Sequence, residues 1–188
     1  MKLYSYLKVM AAISAGALAS CASQPQTPKP AVVGAVRPDN SVSGQVFAAV
    51  NAYRRSHGAA ELQRHAGLDR LAQAHCEYLR QNRGKFGIYG KNVSHLGSEG
   101  RALVARERYH MLNSSENVAS IKTTKNEVTP ALVRLWTNSK DHEKNLLSSW
   151  THTGVGVVID DDGTAFSTEI FATVSNSQMA TRQRFSGF

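Results

Sequence analysis

The chain has 188 residues, with 22 Lys and Arg against 14 Asp and Glu, a formal net charge of +8, and two cysteines. That length suits one domain with appendages, large enough to bury a core, and so few cysteines exclude a disulfide-stapled scaffold. The basic balance favours acidic surfaces such as lipid headgroups, anionic polysaccharide or nucleic acid, without choosing among them.

Residues 1–20 read as a leader. Lys2 and Lys8 accompany a polar start, and residues 9–19 form an apolar, small-residue run too short to span a bilayer comfortably. The two lysines would leave with it, so the mature chain is less basic than the whole. The leader ends Leu18-Ala19-Ser20-Cys21, which resembles the lipobox of bacterial lipoproteins. The resemblance implies a lipid-modified Cys21 that anchors the protein to a membrane. Ala22 in place of Asp after it implies the outer membrane where there is one. Such a compartment disfavours a nucleic-acid partner whatever the charge. Residues 21–43, with Pro25, Pro28, Pro30 and Pro38, read as a disordered tether spanning roughly 25 Å on average. Cys76 is then the one thiol left. It neighbours His75, but adjacent residues on a helix do not face each other, so Cys76 reads as a buried structural cysteine.

The domain itself spans residues 44–174. Val46, Phe47, Val50 and Tyr53 give residues 44–57 one apolar helical face, and Gly58 can close it. A second helix is expected over 67–83, with Leu68, Leu71, Ala72, His75 and Leu79 in step and Gly84 as the stop; His75 reads as a hydrogen-bonded core histidine. The Gly-rich loop 84–100 lacks phosphate-cradle spacing and serves to deliver His95. A short helix over 100–108, a strand over 116–121 and a polar loop over 122–127 follow. Thr129 is a candidate N-cap, and Pro130 sits in a first turn where its missing N–H costs nothing. Leu132, Leu135, Trp136 and Ser139 then share a face, and the same stretch carries His142 and Asn145 to the edge of the core. Residues 155–159 and 164–174 read as a hairpin around Asp162-Gly163, and 175–188 as a frayed tail. Helices before and between strands with a terminal hairpin argue an α+β fold.

The ordered pieces Asn51-Ala52-Tyr53-Arg54, Leu71-Ala72-Gln73-Ala74-His75, Ser94-His95-Leu96-Gly97, Glu116-Asn117-Val118-Ala119, residues 136–147, Gly154-Val155-Gly156-Val157 and Thr168-Glu169-Ile170-Phe171 resemble the CAP superfamily in its bacterial form: the cysteine-rich secretory, antigen 5 and pathogenesis-related proteins. The resemblance runs from about Val46 to Val174. It implies a three-layer α-β-α sandwich with a small antiparallel sheet, and a cavity lined by two His and two Glu. His95 and Glu116 match one member of each pair. The second carboxylate position holds Ser139, and the second histidine position, in the terminal strand, holds Phe166; His142 matches the histidine of the bacterial version.

His95, Glu116 and His142 therefore form the candidate site, expected to converge in space, with Asn117 and Asn145 beside them. Two imidazoles and a carboxylate suffice for Zn²⁺ or another divalent ion with an open water position. Asn117 and Asn145 also suit the satisfaction of buried backbone groups. Glu107 and Glu169 are further carboxylates, read as solvated or salt-bridged. No His-Glu-x-x-His and no nucleophile-elbow serine is present. Two functions fit these residues. The first is a non-enzymatic, envelope-tethered module binding a lipid, glycan or peptide ligand; the alternative is a divalent-metal-dependent hydrolase of a peptide or cell-wall bond.

Overall fold

A computed structural model of the chain describes residue 39, residues 41–87 and residues 90–174. Cys21, most of the tether and the C-terminal tail lie outside the described residues. The first helix, α1 (Val42–Ser56), starts two residues before the expected residue 44, because the Ser41 hydroxyl accepts the Gly44 N–H at 3.1 Å and caps it. Its end is as expected, with Gly58 at φ 71°. A two-residue strand, β1 (Gln63–Arg64), precedes α2 (Ala66–Gln81) and α3 (Ser98–Tyr109). His110, at φ 58°, then reverses the chain into β2 (Met111–Lys122), which begins five residues earlier than its sequence pattern suggested.

The stretch around Trp136 is two helices, not one: α4 (Val128–Thr137) and α5 (Lys140–Leu147). Ser139 is extended, at φ −111° and ψ 118°, and starts α5 instead of extending the α4 stripe. Thr129 is not the cap of α4, since Glu127 occupies that position, but Pro130 does fall within the first turn. Leu132 and Trp136 are fully buried as expected, whereas Leu135 is 41% exposed. The hairpin β3 (His152–Ile159) and β4 (Thr164–Val174) closes through Gly163, whose N–H donates to Asp160 O at 2.9 Å.

The sheet order is β1-β3-β4-β2. Its three long strands are antiparallel, and only the short edge strand β1 runs parallel, to β3. The architecture is the expected α+β sandwich of three layers. Side chains alternate across a strand, and the two faces of β4 divide the core accordingly. Ala165 and Phe171 pack with Val46, Val50, Leu132, Trp136 and Leu146 on the side of α1, α4 and α5. Phe166 packs with Cys76, Leu79 and Val118, and Ile170 with Leu68 and Ala72, on the side of α2 and α3. Cys76 is buried, and burial pushes its thiol up to about 12, so it is structural. Gly154 and Gly156 let α2 lie directly on β3. A Cβ at Gly156 would come within 2.4 Å of the backbone of Ala72 and Gln73. Asp69 and Gln73 on α2 accept the N–H groups of Val155 and Val157, at 2.9 and 3.1 Å, which covers that edge of the sheet beyond β1.

Glu169 departs from expectation. Residue 169 falls on the α1 side of the most buried strand, between Asn117 on β2 and Val155 on β3, so its carboxyl is fully buried and not solvated. Thr153 Oγ1 donates to Oε1 at 3.0 Å, and Oε2 has no partner among the described residues. Burial pushes the carboxyl up to about 8, against the weaker pull of the Thr153 hydroxyl and the Arg54 charge. Arg54 is itself buried, but its guanidinium bonds the carbonyls of Ala60, Leu146 and Ser148 instead. A carboxyl whose pKa rises on folding stabilises the fold fully below its unfolded value, near 4.5, and that contribution is lost as the pH climbs through about 8. Urea unfolding of the parent should therefore show stability falling across that window, while Glu169→Gln, which cannot ionise, should flatten the fall. An unchanged slope in the variant would refute the assignment.

Candidate binding site

His75 starts the construction of the site. It sits on the buried face of α2, where burial lowers its pKa and keeps the ring neutral, and Nε2 donates to Ser94 O at 2.8 Å. That bond ties the loop after α2 to the core, which accounts for a histidine on an otherwise apolar stripe. The loop then turns through Gly97, at φ 79°, with Ser98 N–H donating to His95 O at 2.9 Å. His95 is thereby presented to β2.

Glu116 faces the same layer from β2. His95 Nδ1 donates to its Oε1 at 2.9 Å. Arg101, on the first turn of α3, grips both oxygens, Nη2 to Oε1 at 2.7 Å and Nε to Oε2 at 2.9 Å, and spends Nη1 on Leu96 O at 3.0 Å. The Glu116 side chain is 9% exposed and that of Arg101 12%. Burial, the largest single influence on Glu116, pushes its carboxyl up, yet the His95 hydrogen bond and the Arg101 bonds and charge together hold it down at about 2. The carboxylate is thus ionised and committed. The three side chains floor a cavity of about 390 Å³ walled by Glu99, Ser114 and Ser115.

His142 stands apart. It lines a second cavity of about 360 Å³ with Val93, Val118, Leu135 and Ser139, and His95 is the side chain common to both cavities. Burial is the main cause of its lowered pKa, helped by His95 and opposed by Asp141, and Nδ1 has no hydrogen-bond partner among the described residues. His95 and Glu116 therefore meet as the sequence suggested, while His142 shares a cavity with His95 and not with Glu116.

Asn117 and Asn145 form a clip between β2 and α5. Asn117 Nδ2 donates to His142 O at 3.0 Å, Asn145 Nδ2 to Asn117 Oδ1 at 2.9 Å and to Glu116 O at 3.4 Å, and Ser115 Oγ to Asn145 Oδ1 at 3.0 Å. They bond the carbonyls of His142 on α5 and Glu116 on β2 and so tie the helix to the strand. Glu107, the other carboxylate considered, is exposed and paired with Arg106 at 2.9 Å. Arg101 is the residue that sequence reading missed. An arginine early in a polar helix carries no local mark, and only the packing of α3 against β2 gives it Glu116.

The chain matches the family model "CAP: Cysteine-rich secretory protein family" over residues 47–175. Its structure is similar to an outer surface protein of Borrelia burgdorferi, with 16% identity and a TM-score of 0.58 over 72% of this chain and 95% of that one. It is also similar to an extracellular protein containing a SCP domain from Bacillus anthracis, with 25% identity, a TM-score of 0.53, and 72% and 41% of the two chains covered. A cysteine-rich secretory protein from Staphylococcus aureus matches with 19% identity and a TM-score of 0.51, covering 73% and 40%. The chain thus spans about two-fifths of the length of the last two. No curated protein matches it in sequence.

The metal ion suggested by two imidazoles and a carboxylate does not fit these residues. Arg101 already occupies both Glu116 oxygens, and Ser139 and Phe166 stand at two of the four ligand positions expected from the family resemblance. Among the described residues no three His, Cys, Asp or Glu side chains are grouped to hold a metal ion. A guanidinium fills the role of a cation here. Arg101→Met would remove that built-in charge and release the carboxylate. Calorimetric titration with Zn²⁺ is expected to show at least tenfold tighter binding to the variant than to the parent. Equal affinity in the two would show that Arg101 is not what keeps metal out.

Proposed function

The chain belongs to the cysteine-rich secretory protein (CAP) family, and on that premise we propose that it is a non-enzymatic binding module held at the cell envelope by a lipid on Cys21, with the outer membrane as its site. The observation that carries the binding role is the committed state of Glu116. A carboxylate held at about 2 by Arg101 and His95 is a poor proton acceptor at neutral pH, so it serves better as a fixed polar floor than as a general base. Such a floor is organised before any ligand arrives, which lowers the cost of binding. The two cavities that meet at His95 offer the space, one floored by Glu116 and Arg101 and the other walled by Val93, Val118 and Leu135. The ligand classes that suit them are a lipid, a glycan or a peptide.

The location rests on the leader and lipobox at residues 1–21 and on the company of an outer surface protein and an extracellular one among similar structures. Among the described residues no helix is long and apolar enough to cross a membrane, and a lipid on Cys21 supplies attachment without one. That compartment also argues against nucleic acid as the acidic partner.

Two measurements test the reading. Full-length protein carrying Cys21→Ala should leave the membrane fraction for the soluble one; continued sedimentation with membranes would count against the anchor. Full-length protein incubated with native lipid extract or solubilised wall fragments should carry a saturable ligand by native mass spectrometry. That ligand should survive EDTA and weaken at least tenfold in Ser114→Trp, whose ring would intrude on the Glu116 cavity. Loss of the ligand on chelation, or failure to detect any saturable species, would overturn the binding role.

A further inference from the structure

The two edges of the sheet are treated differently. On the β3 side, β1 and then Asp69 and Gln73 take up the outward groups. On the other side lies β2, a twelve-residue strand whose one neighbour among the described strands is β4. In an antiparallel pair, alternate residues aim both N–H and C=O at the same neighbour. Thr123 N–H donates to Gly163 O, just past the end of β2, so odd-numbered residues of β2 face β4 and even-numbered ones face outward. Consistently, the outward Glu116 O is taken by Asn145 from α5. Beyond that point, at Val118, Ser120 and Lys122, the backbone groups aimed outward have no hydrogen-bond partner among the described residues.

The second cavity lies along this stretch. It is lined by Val118, Ala119 and Ser120, with Val93 and His95 on one side and Leu135, Ser139 and His142 on the other. Val118 belongs to the core on the α2 side of the sheet and Ala119 to the core on the α1 side. A single cavity that touches both faces of a strand must pass over its edge. The space is therefore a slot straddling the open edge, with an apolar wall on each face and unpaired backbone between them.

Resting on the binding role proposed above and making it more specific, we propose that the edge of β2 from Val118 to Lys122 is a strand-addition site for an extended, acidic peptide segment of a partner protein. An acyl chain cannot pair the outward N–H and C=O groups, and a glycan does not reproduce their two-residue repeat, which is set by a rise of about 3.3 Å per residue. An added strand does both, and its alternate side chains fall onto the Val93–Val118 wall and the Leu135–Ala119 wall. Charge favours an acidic sequence. The chain carries a formal net charge of +8, which draws an acidic segment and repels a second copy of itself; Lys122 at the far end of the edge is paired with Asp162. Upstream, the Asn145 clip closes the edge and limits the added strand to about five residues.

The test uses the full-length protein and a fluorescein-labelled peptide of alternating Val and Thr with Glu at both ends. The comparison peptide has the same sequence, N-methylated at alternate amides so that it cannot pair along one edge. Anisotropy is expected to show at least tenfold weaker binding of the methylated peptide, and hydrogen exchange at Ser120 should slow at least tenfold with the unmodified one. Ser120→Pro removes an outward N–H without touching the β4 ladder, a position where an edge strand tolerates proline, and it should weaken binding of the unmodified peptide by the same factor. Equal binding of the two peptides, or binding without protection at Ser120, would overturn strand addition. A concentration-dependent dimer that protects Ser120 without peptide would assign the edge to a second copy of the chain and overturn the peptide assignment. If the peptide fails while lipid or wall fragments still saturate the protein, strand addition falls and the binding module stands; if all three fail, both fall.

Discussion

The fold depends on β4 being covered on both faces. Nine of its eleven positions in succession, from Thr164 to Ala172, are buried. A strand in that position cannot be served by one layer of helices, so α2 and α3 must pack on one side and α1, α4 and α5 on the other. The close approach of α2 at Gly154 and Gly156 follows from the same demand, because the layer must seal directly onto the β3–β4 pair. So does the chemistry of Glu169: a carboxyl carried by the central strand has no route to water and takes its neutral form.

Double cover also determines where polar chemistry can sit. Arg54 shows one way the interior holds a charge, by bonding three carbonyls, two of them at the end of α5, while the enclosed Glu169 Oε2 has no partner among the described residues. The less constrained positions lie along β2, where the helical layers stop. Glu116 on one face and the Asn117–Asn145 clip on the other both occur on that strand. Both are made of groups that hold one another. His142, with a shut-in Nδ1, is the exception, and it faces the slot on the open edge of β2.

Helical periodicity made α1 and α2 legible because their buried residues recur in phase: Val46 and Val50, then Leu68, Ala72, His75 and Leu79. The hairpin was legible from Asp162-Gly163 between β-rich runs. Less legible were the features without local cause. The break between α4 and α5 at Ser139, the exposure of Leu135 and the early start of β2 at Met111 each depend on what packs against the segment. The two-residue β1 could not be read at all, since Gln63 and Arg64 are strand only through pairing with His152 and Thr153.

By itself the sequence determined the family, the α+β class and the candidacy of His95 and Glu116, because those rest on residue type and order. Tertiary structure decided what those residues do. It brought Arg101 onto Glu116 and so put a guanidinium where a metal had been expected. It also set His142 in a different cavity, enclosed Glu169, and left one edge of the sheet without a neighbouring strand among the described residues. Each of these turns on which groups distant in the chain come within bonding distance, and electrostatic and hydrogen-bond energies fall off too steeply with separation for chain order to settle them.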